Sequence, residues 1–389
     1  MMMSEPIHIL HVVGGMTRGG IETWLMHVLR HIDRDRFQMD FLVHTTQPCA
    51  YDDEIRSLGS RIIPCMHPSR PWAYAQNFNR ILRDDRPYAI VHSHVHHYSG
   101  YILSLAHRAG VPVRIVHSHN DTVRLQSKAK PLRRSYLALM RHWIDQHATR
   151  GLAASRKAAV ALYGPTWEAD PRYALLYYGV DLTPFQQAVD PLTVRAELGI
   201  PPDAFVIGHV GRFHEQKNHE FLVDIAAEVA RQDPRMRLLL IGDGPLRPMV
   251  EQKIAQLGLT DRVVFAGLRS DVPRLMLGAM DVLLFPSLYE GLPITGIEAQ
   301  AAGLPIIMSD VITDELGEIK PLIRRIPLSR SASEWSREVL NSKKSSVKMT
   351  SEDSLKIVNR GLFDIQTCVK NLEGLYSKTR EVVSHDANT

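Results

Sequence analysis

The feature that most constrains this chain is a recurring unit: a short apolar run, a glycine-containing turn, then a stretch with helical spacing. Ile7–Val13 runs into GGMTRGG (Gly14–Gly20) and an expected helix over about Ile21–His31. Phe205–Val210 runs into GRFHEQKNHEFL, Leu238–Ile241 into GDGPL, and Val263–Phe265 into GLRSDV. Further apolar runs lie at Phe37–Val43, Ile62–Ile63, Ile90–His92, Val113–Val116, Gly151–Ser155, Tyr173–Leu176, Val282–Phe285, Ile306–Ser309 and Leu322–Ile326, with helical stretches between many of them. Strands that alternate with helices are joined by crossovers and line up parallel, with helices on both faces of the sheet. A chain of 389 residues is too long for one core, so the pattern predicts two doubly wound α/β domains. Ligands in such sheets bind beyond the carboxyl ends of the strands.

Composition narrows the function classes. The formal net charge is +4, which is too small to argue for nucleic acid, although a local basic patch can still matter. The three cysteines, Cys49, Cys65 and Cys368, have no metal-ligand spacing and read as reduced thiols of a cytoplasmic protein. Met1–Pro6 has no basic n-region followed by an apolar run, so no signal peptide is expected. No stretch is apolar for the length a bilayer requires, so any membrane contact is expected to be peripheral.

The densest polar signal lies in Asp281–Pro305, DVLLFPSLYEGLPITGIEAQAAGLP. Val282–Phe285 reads as a buried strand. A helix is expected from Pro293, a residue suited to the first helical position. Ile294, Ile297 and Ala301 fall on one face, and Gly303 and Pro305 end the helix. Glu290 in the loop and Glu298 in the helix put two carboxylates at the mouth of this unit, where they can accept hydrogen bonds from sugar hydroxyls. A helix N-terminus there favours phosphate. Earlier, Gly211 allows close backbone approach, and Arg212 and Lys217 present two cations directly after a buried strand, as a diphosphate requires. Asn218 is expected to cap the helix that follows.

The spacing of Glu290 and Glu298, within FPSLYEGLP and EAQAAGLP, resembles the Glu-x7-Glu motif of retaining glycosyltransferases of family 4, which have the GT-B fold. GRFHEQK is similar to the same family's G-R-x4-K segment, and GGIE (Gly19–Glu22) to its first glycine loop. The resemblance covers nearly the whole chain and is strongest from Phe205 to Glu315. It implies two Rossmann-like domains facing a cleft: 1–183 on the acceptor side, 184–362 for the donor, and a terminal helix in 363–389 that crosses back. It implies that Arg212, Lys217, Gly19 and Gly20 meet the donor diphosphate, that Glu298 holds the ribose and that Glu290 holds the transferred sugar. Gly291, Leu292 and Pro293 would offer backbone contacts to sugar and phosphate, and the turn at Leu268 and Arg269 would meet the nucleobase. His119, with His117 second, would approach the donor sugar.

The first half carries two histidine-rich strand ends, HSHVHH (His92–His97) and HSHND (His117–Asp121). His94 and His96 would share one face of an extended segment, a spacing that could bind zinc. No cysteine or HExxH-type partner completes a site, so no metal is expected, and the other histidines read as surface or satisfied core. Arg124–Arg141 is basic and free of acids, with Tyr136, Leu137, Leu139, Met140 and Trp143 interleaved. It is either a solvated face over a buried stripe or a surface for anionic lipid headgroups or a lipid-diphosphate acceptor. YYGVDLTPF (Tyr177–Phe185) is similar to the family's interdomain linker, with Tyr178 in place of the usual asparagine.

The activity implied by the resemblance is hexosyl transfer with retention from a nucleotide-diphosphate sugar, without a metal or other cofactor. A UDP-sugar is the favoured donor and a GDP-sugar the alternative. The acceptor would be a saccharide, polyprenyl-linked, in capsule or exopolysaccharide synthesis at the inner face of the plasma membrane. Two other readings stay open: a sugar-nucleotide epimerase of the same fold, and a non-catalytic nucleotide-sugar-binding protein.

Overall fold

The computed structural model describes residues 5–65, 68–84, 86–344 and 349–386. The chain divides into two compact units, 1–179 with 365–389, and 180–364. Each is built on one parallel sheet, as the alternation of apolar runs and helical stretches predicts.

In the first unit the strands are β1 (Ile7–Val13), β2 (Phe37–Val43), β3 (Ile62–Pro64), β4 (Ile90–Ser93), β5 (Val113–Ser118), β6 (Arg150–Ala153) and β7 (Tyr173–Leu175). They lie in the order β3-β2-β1-β4-β5-β6-β7. The winding reverses between β1 and β4, the point where such sheets open a crevice at their carboxyl ends. There the register sets His11 of β1 beside His92 of β4 and His92 beside Ile115 of β5. β5 runs on to Ser118, two residues past the expected end at Val116, because His117 and Ser118 continue the ladder onto Leu152 and Ala153 of β6. The helix Gly20–His31 covers the sheet with Trp24, Leu25, Val28 and Leu29, all fully buried. The last helix, Ile365–Asp386, belongs to this unit and packs on Gly20–His31. Its buried Tyr376 bonds His92 Nδ1 at 2.9 Å, and Glu373 accepts from the Asp33 N–H at 2.9 Å.

The second unit has β8 (Phe205–Val210), β9 (Met236–Ile241), β10 (Val263–Gly267), β11 (Val282–Phe285), β12 (Ile306–Ser309) and β13 (Ile323–Ile326), in the order β10-β9-β8-β11-β12-β13. Phe205, Ile207, Leu238, Leu240, Val282 and Leu284 form its core with the helix His219–Gln232 and with Trp335. The reversal here lies between β8 and β11, the two strands whose loops carry Arg212, Lys217 and Glu290.

The loops after β8 and β9 are laced together. Gly211 N–H donates to Ile241 O at 2.9 Å, Phe213 N–H to Asp243 O at 3.0 Å, and Leu246 N–H to Phe213 O at 3.1 Å. Gly242 sits at φ +134°, and a Cβ there would collide with Gly211 O. Gly242→Ala should therefore destabilise the protein by about 1–3 kcal/mol, the usual cost of a side chain forced into such a conformation. Gly20→Ala, where a Cβ meets nothing within 4 Å, should be nearly neutral. Urea unfolding compares them, and equal midpoints would remove the interlock.

Candidate functional site

The second unit holds a constellation assembled from two strand ends. After β8 the chain makes a tight turn at Glu215–Lys217. Asn218 then takes a left-handed conformation, φ +55°. Its side chain does not cap the following helix, as the sequence suggests, but donates from Nδ2 to Pro286 O at 3.1 Å. Gln216 reaches the same loop, donating from Nε2 to Tyr289 O and to Glu290 Oε2, each at 3.0 Å. Lys217 Nζ closes the set on Glu290 Oε1 at 2.7 Å, with Nζ 4.6 Å from the Phe285 ring centroid. The turn thus fastens the loop after β8 to the loop after β11. Arg212, by contrast, is exposed, and no described residue bonds or pairs with its guanidinium. It is a cation held ready beside a paired one.

The helix after β11 is Ile294–Ala301, with Pro293 as its N-cap rather than its first residue. It is buried nearly all round, not on one face, because Gln300 locks it from its other side. Gln300 Nε2 donates to Leu316 O at 2.7 Å, and its Oε1 accepts from Ile319 N–H at 2.8 Å. Glu298 lies on this helix, 8% exposed. No described residue hydrogen-bonds or pairs with its carboxylate. Burial therefore pushes its pKa up to about 7. A buried carboxyl without a protein partner is costly unless a ligand completes it, which marks it as a candidate binding group. Gly291, Leu292 and Pro293 are buried in the connecting loop. At the end of β10, Leu268 is 58% exposed. Arg269 is held by Asp271 through two bonds of 2.7 Å, so the turn keeps a fixed shape.

The first unit holds a different cluster. Gly19 is the N-cap of the helix Gly20–His31, and Gly20 is exposed at its start. Behind them His11, His92, His94, His117 and His119 are buried together around Trp24. His119 Nε2 bonds His94 Nδ1 at 2.9 Å and its Nδ1 bonds the Tyr178 hydroxyl at 2.6 Å. Both nitrogens of His119 are thus engaged within the unit. His94 and His96 do not share a face. β4 ends at Ser93, His94 turns inward to His11 Nδ1 at 3.0 Å, and His96, at φ +51°, bonds Thr122 Oγ1 at 2.8 Å. Burial drives all five clustered pKa values down, to about 3 for His11 and His119. These histidines are core, but not a satisfied one. Among the described residues neither nitrogen of His117 has a partner, nor has His11 Nε2 or His92 Nε2.

Sequence reasoning missed His11, Trp24 and Gln216. Gln216 adjoins Lys217 and could have been read as part of the same turn. His11 gives no local signal, since only the pairing of β1 with β4 brings it to the cluster.

Comparisons with known proteins agree with this arrangement. Residues 204–323 match the model described as Glycosyl transferases group 1, and residues 19–179 match the Glycosyl transferase 4-like domain. The chain is 39% identical over 343 residues to EpsF of Bacillus subtilis (strain 168), a protein named as a glycosyltransferase, covering 87% of this chain and 88% of that one. It is 26% identical over 324 residues to the UDP-Gal:alpha-D-GlcNAc-diphosphoundecaprenol alpha-1,3-galactosyltransferase of Escherichia coli, covering 78% and 80%. Among solved structures, Anabaena Alr3699/HepE in complex with UDP-glucose superposes with a TM-score of 0.78 at 19% identity, covering 96% of this chain and all of that one. With two Rossmann-like units and this relationship to EpsF, the chain belongs to the group 1 glycosyltransferases of the GT-B fold.

Proposed function

We propose that the protein transfers a hexosyl group, with retention, from a nucleotide-diphosphate sugar to a saccharide on a polyprenyl carrier in capsule or exopolysaccharide synthesis. The observation that carries the donor assignment is Glu298, a buried carboxyl on the helix after β11 with no partner among the described residues. Ribose hydroxyls would complete it. Arg212 and Lys217 supply positive charge for the diphosphate, so the transfer step calls on no metal. Glu290, released in part from Lys217, accepts hydroxyls of the transferred sugar. The backbone of Gly291, Leu292 and Pro293 lines the sugar and phosphate, and that of Leu268 and Arg269 meets the base. Gly20, at a helix N-terminus, offers its N–H to phosphate, while Gly19, whose own N–H donates to Thr17 O at 3.0 Å, allows the close backbone approach. In the reaction the bond from the anomeric carbon to the diphosphate oxygen breaks, and a bond to the acceptor oxygen forms on the same face. The acceptor proton passes to the departing diphosphate. A UDP-sugar is favoured because the Anabaena structure holds UDP-glucose and the Escherichia coli relative is named for UDP-Gal. The latter name also supports a lipid-diphosphate acceptor.

Arg212→Ala and Lys217→Ala should each weaken UDP and UDP-sugar binding by about 1.5–3 kcal/mol, the range for a charge-assisted hydrogen bond. Isothermal titration reads this directly, and unchanged affinity in both variants would remove the diphosphate assignment.

The two glutamates should separate. Glu298→Gln should weaken free UDP, because the ribose is part of it. Glu290→Gln should leave UDP binding intact and lower turnover. A carboxylate accepts hydroxyls better than a carboxylic acid does, so UDP affinity should rise with pH through about 7 and then level. Glu298→Gln should lose the part of that rise that wild type shows beyond the titration of UDP itself. The stability effect has the opposite sign. With the native pKa raised, the unfolded chain releases this proton first, so the Glu298 contribution to stability falls as pH climbs toward about 7. Thermal melts of Glu298→Gln should gain on wild type over that window. Parallel pH profiles would refute the assignment.

The reading of a peripheral site at an anionic membrane is supported by the helices Val123–Ser127 and Pro131–His147. Only Leu137, Met140 and Ile144 of the longer helix are buried. Leu132 is 86% exposed, and Val123, Leu125, Tyr136 and Leu139 are exposed as well. Arg124, Lys128, Lys130, Arg133 and Arg134 stand exposed among them. Each cation near an anionic surface contributes about 1 kcal/mol. Vesicles containing anionic lipid should sediment the protein and release it in salt, and charge reversal at Arg133 and Arg134 should weaken the capture. Donor binding should not change. Equal sedimentation with neutral vesicles would leave the helix a solvated face.

A further inference from the structure

The family resemblance turns His119, with His117 second, toward the donor sugar, but both nitrogens of His119 are engaged within the first unit, and no donor contact accounts for the other buried imidazoles. Five imidazoles lie ring against ring, with centroid separations of 4.1 Å for His117–His119, 4.3 Å for His92–His94 and 5.1 Å for His94–His119. A neutral imidazole has one N–H and one lone pair, and each wants a partner. One chain of bonds runs from His11 Nδ1 to His94 Nε2, from His94 Nδ1 to His119 Nε2, and from His119 Nδ1 to the Tyr178 hydroxyl. It leaves four buried ring nitrogens without partners: both of His117, His11 Nε2 and His92 Nε2. An unpartnered buried polar group is costly. Packing alone would be served better by leucine or phenylalanine at these positions.

We propose that His94, His117 and His119 form a three-imidazole site for a divalent transition-metal ion of the zinc class. One nitrogen from each lies within 4.8 Å of the others. Imidazole is a preferred ligand of zinc, cobalt and nickel. Two nitrogens on a tetrahedral zinc lie roughly 3.3 Å apart, given bonds of about 2.0–2.1 Å. The 2.9 Å between His94 Nδ1 and His119 Nε2 has to open by only a few tenths of an ångström. The outer shell is in place. Metal-bound histidines are held at their other nitrogen by a hydrogen-bond partner. His11 Nδ1 does this for His94 Nε2 at 3.0 Å, and the Tyr178 hydroxyl does it for His119 Nδ1 at 2.6 Å. With protons on those two outward nitrogens, the lone pairs of His94 Nδ1 and His119 Nε2 converge, and a cation between them turns a repulsion into two bonds. His117, fully buried with both nitrogens open, supplies the third. Three protein ligands leave a fourth position for water or another small donor. The trio His11, His92 and His94 also converges. It shares His94, and the outward nitrogen of His94 would then be the one already bonded to His119.

The test uses the full chain, stripped of metal and titrated with Co²⁺. One Co²⁺ per chain should bind with the visible absorption of a low-coordinate site and be displaced by Zn²⁺. His117→Gln should abolish that spectrum. Tyr178→Phe should weaken Co²⁺ binding about 10–100-fold, as loss of an outer-shell partner does. UDP binding, read in the same variants, reports whether each protein is folded. Its failure in wild type would count against the donor reading and not against the metal site. Absence of Co²⁺ from wild type after gel filtration would overturn the proposal. So would a spectrum that survives His117→Gln but is lost in His92→Gln, or a Tyr178→Phe affinity equal to wild type.

Discussion

The candidate site of the second unit is built around one ion pair. Lys217 and Glu290 meet at 2.7 Å with their side chains 16% and 6% exposed. Two charges taken so far out of water cost several kcal/mol each unless they are paired and hydrogen-bonded. Here Gln216 satisfies the second carboxylate oxygen. The neighbouring residues make room for this pair. A Cβ on Gly211 would press the Lys217 side chain at 3.0 Å. Gly242 in turn lets the loop after β9 lie against Gly211. The glycines that read as phosphate-approach loops therefore also clear the path of a lysine. The pair keeps both charges neutralised within the protein and places the cation at the carboxyl ends of β8 and β11.

Glu290 and Glu298 lie on one loop and helix yet have opposite environments. Glu290 is held by a lysine and a glutamine. Glu298 is buried without either, and burial alone sets its pKa. Two carboxyls in one segment, one paired with a lysine and one whose pKa burial raises to about 7, can take separate tasks. The difference comes from the turn Glu215–Lys217, which reaches Glu290 through Gln216 and Lys217, and from Gln300, which spends its amide on holding the Glu298 helix to Leu316 and Ile319.

Much of this was legible in the sequence because the signals are local. β2, β8, β11 and β12 run between the residues that the apolar runs mark, and Gly303 ends its helix at φ +73°. Arg212, Lys217 and Glu290 stand in loops after parallel strands, where polar residues can gather, and Glu298 stands on the helix that follows β11. What escaped depends on long-range register or on a local conformation that composition does not reveal. Asn218 has the residue type of a cap, but in a left-handed conformation its amide points to Pro286. His11 and His94 are 83 positions apart and meet only because β1 pairs with β4. The two histidine-rich segments were visible, but their convergence required the order β1-β4-β5.

That order also explains why Tyr178 matters. The tyrosine hydroxyl stands at one end of the imidazole chain, and the Tyr376 hydroxyl bonds His92 from the chain's last helix. Segments from the end of the first 179 residues and from beyond residue 365 therefore close on strands laid down near the start of the chain. The 1–179 segment by itself lacks Tyr376, and with it the partner of His92 Nδ1. It also lacks the helix that packs against Gly20–His31. The terminal helix is thus a structural member of the first sheet's layer. The histidine cluster is the polar region that this helix seals.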